Sequence, residues 1–384
     1  MHNFTETINK DVNLSYWQHI SYTAHYDVII AGAGIVGMHC ALEFKHLYPK
    51  SNVLILDKDP WPSGASVKNA GFACFGSPSE ILDDILNMGE SKALDLVEMR
   101  FKGLQLLQSR FKNTDIQYEK NGGFELFWNP RVFETTAAQI KYLNSNLKYI
   151  TGLSHTFKPY KSVKDFNFKG VHAALYNKLE GQLNPELLIN GLFTQCIKAG
   201  IRILCNSPIL NWTEQTQNIL VHTPWNTFTG QHLLLCTNGY TKSLWPDVNM
   251  TPARAQVLIT EPIPNLTWKG CFHFDAGYYY FRTINQRILF GGGRNTDRET
   301  ESTALEGINH RIQNHLQELL AKRIYTQKSI KIEMRWSGIM GMGLEKYPLL
   351  EPYSKRVFTC IRMGGMGIAL AAFVAKKAIT SFFK

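Results

Sequence analysis

The stretch Tyr26–Gly37, YDVIIAGAGIVG, constrains this chain more than any other. Asp27-Val28-Ile29-Ile30 is a short apolar run of strand composition, closed by glycine. Gly32-Ala33-Gly34-Ile35-Val36-Gly37 then fits G-x-G-x-x-G. Gly32 permits a tight turn, Gly34 admits a pyrophosphate to the backbone, and Gly37 lets a helix lie close to the strand. Ala41 keeps the next turn of that helix equally close to the sheet. The phosphates belong on the helix N-terminus, where free N–H groups and the helix dipole favour anions. Val53-Leu54-Ile55-Leu56 reads as a second strand ending in Asp57, about twenty residues past Gly37, where a ribose-binding acid belongs. A glycine-rich turn of an unrelated α/β domain accounts for the loop but leaves Asp57 unexplained. Strand, helix, strand and acid together predict a dinucleotide site.

The rest of the composition narrows the class. A chain of 384 residues has room for two domains and a large core. Apolar content of 44% with 19% charged residues excludes a disordered chain, and no apolar run is long enough to span a bilayer. The polar start MHNFTETINKDVNLSYWQH lacks the basic-then-apolar order of a signal peptide. The seven cysteines are scattered without C-x-x-C spacing, which predicts reduced core thiols in a cytoplasmic protein and no metal centre. The net charge of +10 is spread along the chain with no recognition module, so no nucleic-acid partner is expected. Its expected use is a positive field for an anionic cofactor or substrate.

Taken in order, residues 1–25 form an N-terminal arm carrying Tyr16 and Trp17. After Asp57 and Lys58 comes a turn-rich break, then Ser63–Phe72, small residues ending in an Asn69-Ala70-Gly71 turn where backbone can pass close to a bulky planar ligand. Glu80 to about Phe111 carries apolar residues at helical spacing, and residues 130–150 look helical again. Ile116–Trp128 reads as a hairpin around Asn121-Gly122-Gly123. Asn184 as N-cap with Pro185 at the first position starts a helix that stops at Gly200. Ile201–Leu204 and Leu233–Cys236 are short strands, and the second ends in Thr237-Asn238-Gly239. That return to a nucleotide-type sheet makes the first domain discontinuous. Residues 250–330 alternate strand and turn before a helix through Leu305, Ile308, Ile312, Leu316 and Leu319, which predicts a second, α+β domain. Ile332–Met340 is another strand. Gly364-Gly365-Met366-Gly367 opens a last apolar helix and is a second place for backbone to approach a ligand.

These separated signals resemble the D-amino-acid oxidase family of FAD-dependent oxidoreductases, which includes glycine and sarcosine oxidases. The motifs that carry the resemblance are the glycine loop, Gly64-Ala65-Ser66 with Asn69-Ala70-Gly71, Gly181-Gln182-Leu183-Asn184-Pro185, Cys236-Thr237-Asn238-Gly239, Tyr279-Tyr280-Phe281-Arg282, Gly291-Gly292-Gly293-Arg294, Trp336-Ser337-Gly338 and the C-terminal glycine cluster. The resemblance implies an α/β fold: a discontinuous Rossmann-type FAD-binding domain (residues 26–100, 176–245 and 340–384) with an α+β substrate domain on a mostly antiparallel sheet (101–175 and 246–339). It implies non-covalent FAD held by Gly32, Gly34, Ile35, Val36, Gly37, Asp57, Lys58, Ser66, Asn69, Ala70, Gly71, Phe72, Thr237, Asn238, Gly239, Gly364, Gly365, Met366 and Gly367. Ser66, Asn69 and Gly71 would lie beside the isoalloxazine, and Gly365 to Gly367 would face its pyrimidine edge. Asp57 stands where most members have glutamate.

The implied reaction is oxidation of a small amine or amino acid by hydride transfer from carbon to flavin N5, giving an imine that hydrolyses, with oxygen or another acceptor taking the electrons. Two departures matter. Gly338 stands where sarcosine oxidases carry a flavin-linking cysteine, and Met340 stands where glycine oxidases place a carboxylate-binding arginine. Methionine cannot form that bidentate pair, so Arg282, Arg335 or Arg362 must replace it, or the substrate lacks an α-carboxylate. Side chains two apart on a strand share a face, so Tyr278, Tyr280 and Arg282 are expected to project together over the flavin. The expected substrate-site residues are Tyr278, Tyr280, Arg282, Met340 and Arg362. A 2-hydroxy-acid or polyol dehydrogenase on the same scaffold, with His273 as base, and a non-catalytic flavin-binding protein are the alternatives.

Overall fold

The computed structural model describes residues 14–326 and 329–383. Most of the expected N-terminal arm, residues 1–13, lies outside them. The arm's remainder holds the helix Tyr16–Tyr22, started by a Ser15/Gln18 capping box; Tyr16 and Trp17 stand exposed on it.

Five parallel strands form the spine of the first sheet, in the order Val357–Ile361, Thr227–Leu235, Tyr26–Ala31, Val53–Leu56, Arg202–Leu204. Ile30 sits in register with Ile55 on one side and Leu234 on the other. These strands are apolar on both faces because both faces are covered. On one, Val28, Ile30, Val53, Ile55 and Leu234 pack under the helices Ile35–Leu47, Glu90–Arg110, Pro185–Lys198 and Gly367–Phe383. On the other, Ile29, Leu54, Leu56, Leu233 and Phe228 meet Ile219 and Val221 from an antiparallel extension formed by Asn211–Glu214 and Ile219–His222. Leu349–Pro352 closes the edge, antiparallel to Val357–Ile361.

The second sheet runs Ile332–Met342, Thr251–Thr260, Arg287–Gly292, Tyr279–Ile284, Cys271–Phe274, Gly123–Phe127, Ala173–Asn177, Lys158–Pro159. It is antiparallel except where Cys271–Phe274 meets Gly123–Phe127. Its covered face carries Phe124, Phe272, Phe281 and Phe290, packed under the helix His310–Leu319 through Ile312 and Leu316. Burying each such side chain contributes roughly 1.5–3 kcal/mol.

Several local expectations change. Ile116–Trp128 is not a hairpin: only Gly123–Phe127 is a strand, and it pairs with the distant Cys271–Phe274 and Ala173–Asn177. Phe124 and Leu126 find a larger apolar face there than a two-stranded hairpin offers, while Glu119 pairs with Gln182 instead. The helix near 305 begins only at His310, where Asn309 accepts a bond from the Ile312 N–H, and Leu305 is exposed. A division at residue 100 falls inside the helix Glu90–Arg110, whose Leu104 and Leu107 pack with the first core. Leu143, Leu147 and Phe157 join the same core. A division at 340 falls inside the strand Ile332–Met342.

Candidate functional site

A cavity of about 480 Å³, within the range of small-molecule sites, runs from the glycine loop to the open face of the second sheet. At one end Gly32, Gly34, Ile35 and Val36 line it together with Asp57 and Lys58. Gly34 is the N-cap of the helix Ile35–Leu47 and has no side chain to satisfy the first N–H groups, so that terminus faces the cavity as an anion cradle. Gly37 does not touch the cavity. A Cβ there would lie 2.0 Å from the Gly32 carbonyl oxygen, so glycine is what allows the helix to seat against the loop. The Asp57 carboxylate spans the turn: one oxygen accepts from Ala33 N–H at 2.7 Å, the other from Asp59 N–H at 3.1 Å. Burial raises its pKa, with the two backbone bonds opposing, and lone pairs remain for ribose hydroxyls. Lys58 pairs with Asp59 and lies 4.6 Å over the Tyr240 ring.

Further along, Ser66, Asn69, Ala70 and Phe72 line one side and Thr237, Asn238, Gly364, Gly365, Met366 and Gly367 the other. Two asparagines act as staples. Asn69 donates to the Ala65 and Ser66 carbonyls and accepts from Gly71 N–H, while Asn238 accepts from the Arg362 and Met363 N–H groups. Ser66 accepts from Ile35 N–H at 2.9 Å, tying the loop to the start of the helix Ile35–Leu47 and occupying its first N–H group. Gly71 and Gly239 fall outside the cavity lining. Gly71, at φ +74°, is required because a Cβ would lie 2.2 Å from the Leu183 carbonyl oxygen and 2.7 Å from an Arg282 nitrogen; Gly239 lies against Ile339 and Met340.

The sheet wall holds Tyr278, Tyr280, Gly338 and Met340, all lining the cavity. Along Tyr279–Ile284 the side chains alternate: Tyr279 and Phe281 enter the covered core, leaving Tyr280 on the open face against Phe72, while Tyr278 lies in the preceding turn and packs beside that core instead of sharing Tyr280's face. Arg282 shares that face yet does not reach the cavity. Two residues on, roughly 6.6 Å along the strand, it is buried and donates to the Leu183 carbonyl at 3.1 Å. Arg362 is also spent elsewhere, on the Tyr347 and Asn249 carbonyls, and Arg335 binds Gln313 and Gln317. Arg294 and Lys346 line the cavity, as does Lys68, which lies beside Gly338 and pairs with Glu306.

A cluster of buried ionisable groups at this end was not foreseen from the sequence. Lys346 bonds Asp84 at 2.8 Å and Glu80 at 3.3 Å, and the wholly buried Arg100 reaches Glu80 at 3.3 Å. Burial pushes Glu80 upward, but Lys346 and Arg100 outweigh it and hold the carboxyl at about 2. Beside it, Cys74, Glu180 and His273 bring ligand-type atoms within 4.8 Å of one another. Burial drives His273 down to about 4 and Glu180 up to about 8. No periodicity joins residues 266 positions apart, as Glu80 and Lys346 are; only Arg294, in its glycine run, carried a local signal.

Comparison with known proteins agrees with this arrangement. A probable oxidoreductase OrdL from Haemophilus influenzae is 23% identical over 368 residues, covering 92% of this chain and 81% of the relative. Among solved structures, L-proline dehydrogenase from P. horikoshii superposes with a TM-score of 0.75 at 15% identity, covering 92% of each chain. Glycine oxidase from Geobacillus kaustophilus gives 0.73 at 16%, covering 92% of this chain and 93% of its own. The pattern of the DAO family, described as FAD dependent oxidoreductase, matches residues 27–380. The chain therefore belongs to the DAO family of FAD-dependent oxidoreductases, and FAD is its cofactor.

Proposed function

We propose that this enzyme oxidises a small amine or amino acid by hydride transfer from substrate carbon to flavin N5, giving an imine that hydrolyses, with oxygen or another acceptor taking the electrons. The observation that carries the reading is the one cavity joining the Asp57 end to a wall of Tyr278, Tyr280 and Arg294. Bound FAD supplies a two-electron acceptor; the chain's own residues hold the cofactor, position a C–H bond and exclude water. Gly32, Gly34 and Asp57 would hold the dinucleotide half. The Ser66–Phe72 loop and Gly364–Gly367 would flank the ring system, without a covalent tether because Gly338 offers no thiol. The flavin-holding unit is proposed as residues 26–100, 176–245 and 340–384, with the helix to Arg110 packed on it, and the substrate unit as 101–175 and 246–339.

Substrate anchoring moves from Arg282 and Arg362 to Arg294, with Lys346 as a second cation and Met340 an apolar neighbour. Similarity to a glycine oxidase and an L-proline dehydrogenase supports an amino-acid or amine substrate. No helix among the described residues is long and apolar enough to cross a membrane. A cytoplasmic site of action is part of the proposal. A second reading, oxidation of a hydroxy acid, is favoured by His273 lining the cavity. Anaerobic bleaching of the flavin absorbance across amines, amino acids and hydroxy acids tests the assignment. Bleaching by amines or amino acids is expected; bleaching only by hydroxy acids supports the second reading, and none overturns both.

A further inference from the structure

We propose that His273 and Glu180 form a proton relay that takes a proton from the substrate's nitrogen in this cavity. The proposal rests on the amine-oxidising reading above and adds a group that touches substrate, His273, and one that acts through it, Glu180.

The placement comes from the strand Cys271–Phe274. Phe272 and Phe274 enter the aromatic core of the second sheet, so alternation turns Cys271 and His273 to the opposite face. There His273 lines the cavity with Phe72 against it, ring centroids 5.2 Å apart. Its Nε2 is buried, has no hydrogen-bond partner, and lies 3.9 Å from Glu180 Oε2. Glu180 is itself buried behind the cavity wall, with Oε1 fixed by the Phe75 and Gly76 N–H groups at 2.9 and 3.3 Å. A carboxyl held this firmly beside an unpartnered imidazole nitrogen is an acceptor for that nitrogen's proton. The 3.9 Å separation exceeds a hydrogen bond, and such contacts tighten when a ligand fills the site.

Other ionisable groups surround the pair. Glu80 faces His273 from the helix Pro78–Met88 and stays ionised. Glu125 and Tyr280 sit in register with His273 on the two neighbouring strands; Glu125 is held by Ser77 and Ser79. Cys74 lies beside both partners and lines the cavity, with Cys271 next to it and Tyr118 close to Cys74, Cys271 and Glu180. Burial disfavours an isolated charge on either partner, so the ring is neutral at neutral pH and Glu180 ionises near 8.

Hydride can leave a carbon bearing an amine only when the nitrogen lone pair is free to form the C=N bond, and an ammonium group has none. The relay frees it without leaving a net buried charge. The substrate N–H bond breaks as an N–H bond forms on the cavity-side nitrogen of His273. The Nε2–H bond then breaks as an O–H bond forms on the Glu180 carboxylate. Ammonium and carboxylate become amine and carboxylic acid, and the imidazole ends neutral in its other tautomer.

Two measurements on the holoprotein decide it. In histidine-ring NMR, assigned with His273→Gln, the His273 signal should show a step near pH 8, which Glu180→Gln should remove. In anaerobic flavin bleaching by the best amine of the panel, the wild-type rate should rise through about pH 8. Glu180→Gln should lower it about 100-fold at about pH 8, with flavin content kept and the rate recovering only towards the amine's own pKa. A uniform loss from pH 6 to 10 marks a structural role and overturns the relay. So does a missing NMR step, or a stoichiometric divalent metal held by Cys74, Glu180 and His273. If no amine bleaches the wild-type flavin, the proposed function fails, while the NMR step still decides whether the pair is coupled.

Discussion

Gly37→Ala is the sharpest test of how this chain holds its cofactor. The added methyl would stand 2.0 Å from the Gly32 carbonyl oxygen, and real Cβ contacts essentially never fall under 3.0 Å. The obstacle is backbone on both sides, so the start of the helix Ile35–Leu47 must withdraw by about 1 Å or the loop must open by as much. Overpacking of this kind costs typically 1–3 kcal/mol. The same shift would carry the N–H groups at the helix start away from where the phosphates would sit, beyond the reach of a useful hydrogen bond. Losing one charge-assisted bond costs roughly 1.5–3 kcal/mol, which weakens FAD about 10- to 100-fold. Fluorescence titration of apoprotein with FAD reads this directly, with circular dichroism checking that the variant is folded. Gly34→Ala tests a different role: its methyl meets only the Ser66 hydroxyl, at 3.0 Å, so a loss of FAD affinity there would come from blocking the pyrophosphate's approach and not from the helix seat. A folded Gly37→Ala variant with wild-type FAD affinity refutes the seating argument.

Three further outcomes are expected. Acid precipitation of the yellow holoprotein should release intact FAD into the supernatant; flavin retained in the pellet would show a covalent bond despite Gly338. Arg294→Met should raise the apparent KM for an anionic substrate roughly ten- to a hundredfold, the loss of one charge-assisted bond, whereas Arg282→Met should leave KM unchanged because that guanidinium is spent on Leu183. The reverse pattern in steady-state kinetics would return the anchor to Arg282. Glu180, raised in the folded state, contributes stability that is full below its unfolded pKa and lost as pH rises towards about 8. Glu180→Gln, which stays neutral, should therefore gain on wild type by up to ~4 kcal/mol between pH 5 and 8; a pH-independent difference in urea denaturation would count against it.

The legible parts of the sequence were written in short-range signals. The Tyr26–Asp57 unit is legible because turn, helix start and acid lie within one βαβ span, each with a steric or electrostatic reason. Asn184 and Pro185 announce their helix in the same local way, and Asn184 does accept from the Glu186 and Leu187 N–H groups. Alternation gave Tyr280 and Arg282 a shared face, but Tyr278 sits in the turn before the strand and packs beside the aromatic core. Alternation could not say how far along that face the cavity extends, and Arg282 falls just past its end. Ile116–Trp128 misled because a glycine turn between apolar runs is a hairpin signal only when no better partner strand exists. Here Cys271–Phe274 and Ala173–Asn177 are better partners.

The substrate end was illegible for a physical reason. Its chemistry depends on groups whose ionisation is set by burial and by partners from other parts of the chain. Read alone, His273 is a histidine on an aromatic strand with nothing beside it, and Glu180 is an acid before a glycine turn. Only folding places Glu180 behind His273 and removes both from water, and that burial causes the wide separation of their pKa values. Glu80 shows the opposite result under the same burial: Lys346 and Arg100 keep it charged. Two acids in one buried cluster thus hold opposite charge states at neutral pH, Glu80 ionised beside its cations and Glu180 protonated beside a neutral ring. That difference equips this end of the cavity to hold fixed charge through Glu80 and, as Glu180 ionises near pH 8, to take up a proton.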